Sequence, residues 1–300
     1  MKQLTITSIG NKLKKHYNQL VGNPAPYCGP FEQRIKHRHI SFWNAPDAEA
    51  VRNTPMAASD PLEKWKDAKK WQRKLSNKHN ARIFAEMHGC KVPELYWKGR
   101  EQDKINFDVL PDKFVIRPTI GHSSGLVFLM DRGENLMDKQ TYTQESTRSI
   151  LGRALKQNHY LEFLVEEFVR DERGKYRIPD DYKFYMFNGE VASIQVINRL
   201  GPSEGCTSCY DENWNQIPNV NLYYPQAPYQ QPPNCLQEII DQAKLLSLSY
   251  EIFVRIDFYA TDKGSIFGEF TPTPFKGKYF TPEAENMFIN YWDKYCAGMN

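Results

Sequence analysis

The sequence predicts an α+β fold built on antiparallel sheets, and three local patterns carry that expectation. Residues 182–187 and 191–198 are two apolar runs joined by Asn188-Gly189, the dipeptide that best suits a two-residue hairpin turn because it tolerates positive φ. A second hairpin is written in FVRIDFYATDKGSIFGEFTPTPF, residues 253–275, where Phe, Val, Ile and Tyr fill two strands around a short polar turn. Between the hairpins, Leu236, Ile239, Ile240, Ala243 and Leu246 recur at helical spacing and give residues 235–247 one apolar face.

The other elements follow in order. Residues 1–60, rich in Pro, Asn and basic side chains, predict loops and short helices. From Asp60, the run DPLEKWKDAKKWQRKLSNKHNARIFAEMHG has helical character. Asp60 suits the N-cap, Pro61 the first helical position and Gly89 the stop, with a break near Ser76 and Asn77 that divides it into two helices. A strand is expected at 92–97, two more at 113–117 and 126–131 around the loop PTIGHSSG, a helix at 146–157 and a strand at 162–169. Residues 201–233 carry Pro and Asn but no clear element. No internal repeat is visible.

Composition excludes several classes. A net charge of +3 over 300 residues is too small for a general nucleic-acid binder. No stretch approaches the roughly 20 apolar residues that span a bilayer, and the first residues lack the apolar core of a signal peptide, so a cytoplasmic protein with reduced thiols is expected. Cys206 and Cys209 make a lone Cys-x-x-Cys, and a zinc site would need two further ligands that the sequence does not identify. Lys64, Lys66, Lys69, Lys70, Arg73, Lys74 and Lys78 interleave with Trp65 and Trp71. They suit either an acidic polymer, with Trp stacked on sugars, or a solvated face of snorkelling lysines.

Chemistry concentrates in four places. The loop 118–125 contains His122, Ser123, Ser124 and Gly125, whose hydroxyls and backbone N–H groups can fold over phosphates, with Arg117 at the end of the entering strand. It is equally an ordinary hairpin loop. Glu166, Glu167 and Phe168 close the apolar strand FLVEEFV, either as solvated acids or as groups that read the edge of an adenine. Asp181 and Lys183 share a strand face and suit ribose hydroxyls and phosphate oxygens, or a surface ion pair, with Arg199 a further free cation. On the last hairpin, alternation puts Arg255 and Asp257 on one face opposite Val254, Ile256 and Phe258, and puts Glu269 and Thr271 together with Phe267 beside them. Neighbouring carboxylates repel. Asp257 and Glu269 therefore form either a solvated charged face or a site for a hard cation such as Mg²⁺.

Taken in order, these segments resemble the ATP-grasp superfamily, and within it the TupA-like branch of teichuronopeptide and polysaccharide biosynthesis. The resemblance is carried by LSNKHNARIFAEMHG, INFDVLPDKFVIRPTIGHSSG, DYKFYMFNGEV, YDENWNQIP and FVRIDFYATDKGSIFGEFTPTP, over about residues 75–280. It implies an ATP-grasp fold with ATP held between two α+β lobes. Residues 1–75 would be a helical N-terminal extension, 76–112 a linker helix and strand of the N-terminal lobe, 113–170 the central lobe with phosphate loop and hinge, and 171–300 the C-terminal lobe. It implies that Arg117 stands in place of a lysine touching adenine and α-phosphate, and that His122, Ser123, Ser124 and Gly125 cover the phosphates. Glu166, Glu167 and the backbone of Phe168 would be the adenine hinge, and Asp181 the ribose acid. Lys183, Arg199 and Arg255 would meet transferring phosphate, and Asp257 and Glu269 would hold Mg²⁺. Thr271 replaces the usual asparagine as a weaker, neutral metal ligand.

The activity implied is ligation of a carboxylate to an amine through an acyl phosphate, with ATP, Mg²⁺, an amino acid or amine, and a uronic acid of a surface glycan as partners. Two rivals stay open: a sugar or polyol kinase of the same fold, and a nucleotide-binding partner protein without turnover.

Overall fold

Strand pairing, more than helix packing, organises the protein. The structure, a computed structural model, describes residues 29–121, 125–201 and 204–298. One six-stranded antiparallel sheet contains β1 (Leu95–Gly99), β2 (Lys113–Pro118), β3 (Phe128–Asp131), β4 (Glu134–Asn135), β5 (Gln140–Thr141) and β6 (Phe163–Glu167), in the order β1-β6-β2-β3-β4-β5. The helix Gln144–Gln157, which begins three residues after β5, lays Leu151 and Leu155 against Ile116, Phe128, Phe163 and Val165 of this sheet. The second sheet contains β7 (Asp181–Phe187), β8 (Glu190–Arg199), β9 (Gly205–Tyr210), β10 (Gln216–Ile217), β11 (Val254–Thr261) and β12 (Gly264–Thr271), in the order β10-β9-β8-β7-β11-β12. Both predicted hairpins are present, β7 with β8 and β11 with β12. Strand β9 lies inside the stretch left without an element. Its buried face carries Thr207, bonded to Gln195 and to the Val196 carbonyl, so polar pairing replaces the apolar alternation that marks a strand in sequence.

The two faces of the second sheet are covered differently. Phe184, Met186, Val254, Ile256 and Phe258 pack under the helix Leu236–Tyr250 together with Trp65, Trp71 and Phe84. On the opposite face, Tyr185, Phe187 and Phe253 pack against Phe31 and Ile35 of the helix Pro30–Trp43 and against Phe288 and Trp292 of the helix Pro282–Tyr295. Alternation continues this second face from Tyr185 to Lys183 and Asp181, and from Phe253 to Arg255 and Asp257. One end of the face is thus aromatic and helix-covered, and the other is charged.

The Lys/Trp segment departs from both expectations. A four-residue helix, Leu62–Trp65, and a 3₁₀ turn, Trp71–Ser76, replace the long first helix, with Lys70 at φ 59° between them. The two tryptophans drive this: Trp65 is 0 % and Trp71 5 % exposed, both in the core, so neither stacks on a sugar. Nor are the cations a solvated face throughout. Arg73 is buried on the Asp47 carboxylate, and Lys74 on Asp67 and the Lys64 carbonyl. The break at Asn77 is as expected, because its side chain accepts from His79 N at 2.9 Å and caps the helix Lys78–Met87. Gly89, at φ 79°, follows that helix.

A β-bulge corrects the reading of the last hairpin. Asp257 pairs with Glu269 but Phe258 pairs with Phe267, so Gly268 is the extra residue on its strand. Phe267 consequently turns into the core beside Phe270, with ring centroids 4.8 Å apart, while Glu269 stays on the charged face. A Cβ on Gly268 would lie 2.9 Å from the Asp257 carbonyl oxygen, which only a residue without one permits. Gly268→Val should therefore cost about 1–3 kcal/mol through overpacking and reduce turnover at least tenfold by moving Glu269. Thermal melts alongside rate assays check both.

Candidate active site

The charged end of the second sheet gathers side chains from four strands. Asp257, 2 % exposed, sits at the centre. Arg255 grips it with two bonds, Nε to Oδ1 at 2.7 Å and Nη2 to Oδ2 at 2.8 Å, and Lys183 Nζ donates to Oδ2 as well. Arg255 Nη2 also donates to Thr271 Oγ1 at 3.0 Å, because Arg255 and Thr271 are cross-strand partners. Asp181 accepts from Arg199 Nη2 at 2.6 Å and lies 3.5 Å from Lys183. Arg199 is therefore not the free cation the sequence suggested. Burial pushes the Asp181 carboxyl up, but Lys183 and Arg199 override it and hold it below the usual range. Glu269 is the most accessible of these charged groups, its side chain 35 % exposed, with Arg255 and Lys78 each 3.6 Å from its oxygens. Against the push of burial, Lys78 and Arg255 keep it ionised below the ordinary glutamate range.

Across from this face stands the end of the first sheet. Arg117, at the end of β2, donates from Nε to Glu166 Oε2 at 2.5 Å and reaches the Gly268 carbonyl at 3.5 Å. Glu166 is 1 % exposed and also takes Arg82 Nη1 at 2.7 Å. Its carboxylate is thus spent on holding two guanidinium groups. Glu167 pairs with Lys263 at 2.5 Å, and Phe168 is buried near Leu129 and Met137. Gly125 is exposed in a turn, whereas His122, Ser123 and Ser124 lie outside the described residues.

Three contributors were missed in the sequence. Lys78, the first residue of its helix, points its ammonium at Glu269 and at the Gly121 carbonyl, 3.4 Å away, while its backbone N–H donates to Thr119 at 2.7 Å. Burial lowers its pKa, opposed by Glu269. Arg82 shares that helix one turn on. Tyr259 stands on the Asp257 side of β11, its hydroxyl pushed up by burial and then by Asp181. The signal for Lys78 and Arg82 was their i, i+4 spacing after a capping Asn77, which reads equally as an exposed helix face.

Six cations, Lys78, Arg82, Arg117, Lys183, Arg199 and Arg255, thus meet four carboxylates, Glu166, Asp181, Asp257 and Glu269. The excess is positive and sits where water is scarce, which suits a polyanion. A family model for TupA-like ATP-grasp proteins matches residues 62–289. The chain belongs to the TupA-like ATP-grasp family. No curated protein matches it significantly. Solved structures of similar shape include the ATP-grasp ligase PsnB with a minimal precursor, at 11 % identity, covering 74 % of this chain and 62 % of that one, TM-score 0.44. D-alanine–D-alanine ligase from Bacillus anthracis with ATP matches at 14 % identity over 74 % of this chain and 65 % of that one, TM-score 0.45. VanG D-Ala:D-Ser ligase from Enterococcus faecalis matches at 15 % over 72 % and 58 %, TM-score 0.46. In each case the chain spans less than two thirds of the other protein's length. Among the described residues no helix is long and apolar enough to cross a membrane.

The donor set suits Mg²⁺ only in company. Asp257 already carries three donors on about four lone-pair positions, and no described cluster offers three His, Cys, Asp or Glu ligands. Glu269 has both oxygens outside hydrogen-bond reach of its cations. Hard carboxylate oxygens with phosphate oxygens and water completing the shell fit the ion's preference.

Proposed function

We propose that this chain is an ATP-dependent carboxylate–amine ligase that works through an acyl phosphate. The observation that carries this reading is the excess of buried cations around Asp257 and Glu269. In it Arg117 from the first sheet and Lys78 from the start of its helix face Lys183, Arg199 and Arg255 from the second sheet. ATP lies between the sheets, with Asp181 at the ribose, the backbone of Phe168 at the adenine edge, and the loop of His122, Ser123, Ser124 and Gly125 over the phosphates. Asp257 and Glu269, with Thr271 as a weaker neutral partner, would hold Mg²⁺, which would offset phosphate charge. Arg255, Lys183 and Arg199 stabilise the charge that spreads over the transferring phosphoryl group. No protein nucleophile is required, because attack by the acceptor carboxylate and then by the amine needs orientation and exclusion of water. The acceptor is a uronic acid of a surface polysaccharide or its precursor, and the amine an amino acid, acting in the cytoplasm.

Hydroxylamine distinguishes the chemistries. With Mg·ATP and the acceptor acid, the protein should yield a hydroxamate together with ADP, since only an activated acyl group is trapped. A phosphorylated sugar without hydroxamate would identify a kinase, and ATP binding without ADP release across the acceptor panel would identify a binding protein.

A further inference from the structure

Directly after Thr271 the backbone enters a turn in which Phe275, Lys276, Gly277 and Tyr279 take φ values of 52°, 54°, 86° and 71°. For the three residues with a Cβ this is strained backbone, of the kind that clusters at ligand clamps. The turn is held from behind. A Cβ on Gly277 would lie 2.7 Å from the Glu32 carbonyl oxygen, and Thr273 Oγ1 shares a hydrogen bond with His39 Nδ1 at 3.1 Å.

What the strained turn presents is a group of rings. Tyr223 lies 5.5 Å from Phe275, 6.3 Å from Tyr279 and 4.7 Å from Tyr224, centroid to centroid. Leu222 N donates to the Tyr279 carbonyl at 3.0 Å and ties the two segments together. Tyr223, Phe275 and Tyr279 are half-buried, and Lys276 and Lys278 beside them are exposed. The ring group joins the charged face directly, because Tyr224 Oη accepts from Arg199 Nη1 at 3.4 Å while Arg199 Nη2 holds Asp181.

We propose that Tyr223, Phe275 and Tyr279 form the acceptor platform of the ligase, a wall for the ring of a cyclic sugar acid whose carboxylate points toward Arg199. The inference rests on the ligase reading and adds the acceptor's shape to it. Aromatic side chains with a few placed polar groups are the usual lining of a small-molecule site. The rings pack on one another and stay half-buried, so their outer edges and remaining faces are what a pyranose could rest on, and the exposed Lys276 and Lys278 add charge that favours an acid. A glycine at 275 would adopt the observed φ without strain, so the position keeps its phenyl ring, half-buried and packed on Phe280 with ring centroids 6.3 Å apart, against that cost.

The test measures affinity for D-glucuronate, D-galacturonate and the acyclic sugar acid gluconate in the presence of Mg·ADP, together with KM for the acids and for ATP. The cyclic uronates should bind at least tenfold more tightly than gluconate. Phe275→Gly and Tyr223→Ala should each raise KM for the uronate at least tenfold and leave KM for ATP within twofold. Phe275→Gly relieves the backbone but loses packing on Phe280, so melting curves accompany each variant, and Phe275→Leu and Tyr223→Leu replace the truncations where either does not fold. Unchanged uronate KM in these variants, or equal affinity for gluconate, overturns the platform. Intact Mg·ATP binding without uronate binding overturns the platform alone, whereas a parent protein that fails to bind Mg·ATP overturns the ligase reading.

Discussion

Glu269→Gln should lower ADP release by about 10²–10³-fold, the loss expected when a charge that the proposed metal site depends on is removed, while the fold survives. The separation follows from the position of Glu269. Its side chain is 35 % exposed and no cation is within hydrogen-bond distance, the nearest being 3.6 Å away. Its partners Lys78 and Arg255 are themselves 13 % and 9 % exposed, but at 3.6 Å the pairs are looser than a hydrogen-bonded buried pair. The loss should therefore cost about 1–2 kcal/mol, between the surface and buried cases, and move the melting temperature by roughly 2–8 °C. The amide keeps the shape and can still accept a hydrogen bond, but it no longer offers a charged oxygen. Melting curves and Mg·ATP-dependent ADP release, measured on one preparation, check the prediction. A rate near that of the parent would remove Glu269 from the metal site.

Asp257→Asn has the opposite balance, with stability and activity lost together. Asp257 lies against Arg255 and Lys183 in a place that water does not reach. Removing one partner of a buried pair leaves the other charge uncompensated, at about 3–5 kcal/mol, which is roughly 10 °C in melting temperature for a protein of this size. Adding Lys183→Met to Asp257→Asn should recover part of the lost stability, since it withdraws one orphaned cation, but none of the turnover. Retention of the parent melting temperature by the single variant would show that Arg255 and Lys183 have other partners. The two carboxylates look equivalent in the sequence. Burial separates them: Asp257 is bonded to two cations in the interior, whereas Glu269 is partly exposed with its cations 3.6 Å away.

Much of this architecture follows from local pattern. Asn188-Gly189 specified a hairpin because few residues accept its backbone angles. Alternation in β7 and β11 put Asp181 with Lys183 and Arg255 with Asp257. The break near Ser76 and Asn77 is legible, but the sequence pattern puts the cap at Asp60, whereas the first helix starts after Pro61 with no side-chain cap and Asn77 caps the second. These are short-range constraints, legible without knowing what the segment packs against. Strand β9 escaped because its buried partners are polar, and the Trp65–Trp71 segment misled because its helical spacing yields to the burial of two indoles.

Local pattern therefore sufficed for the hairpins, for the break between the two helices and for the list of charged side chains on each strand. Only the tertiary structure decided which of those charges meet. The bulge at Gly268 reverses the parity of everything before it on that strand, and nothing in an alternating pattern marks one extra residue. Glu166 became the anchor of Arg82 and Arg117, Arg199 became the partner of Asp181, and Lys78 came to Glu269 from far away in the sequence. A charge on a strand is compatible with water or with a site. The difference is made by long-range packing, which withdraws the solvent and obliges each buried ion to find its counter-ion.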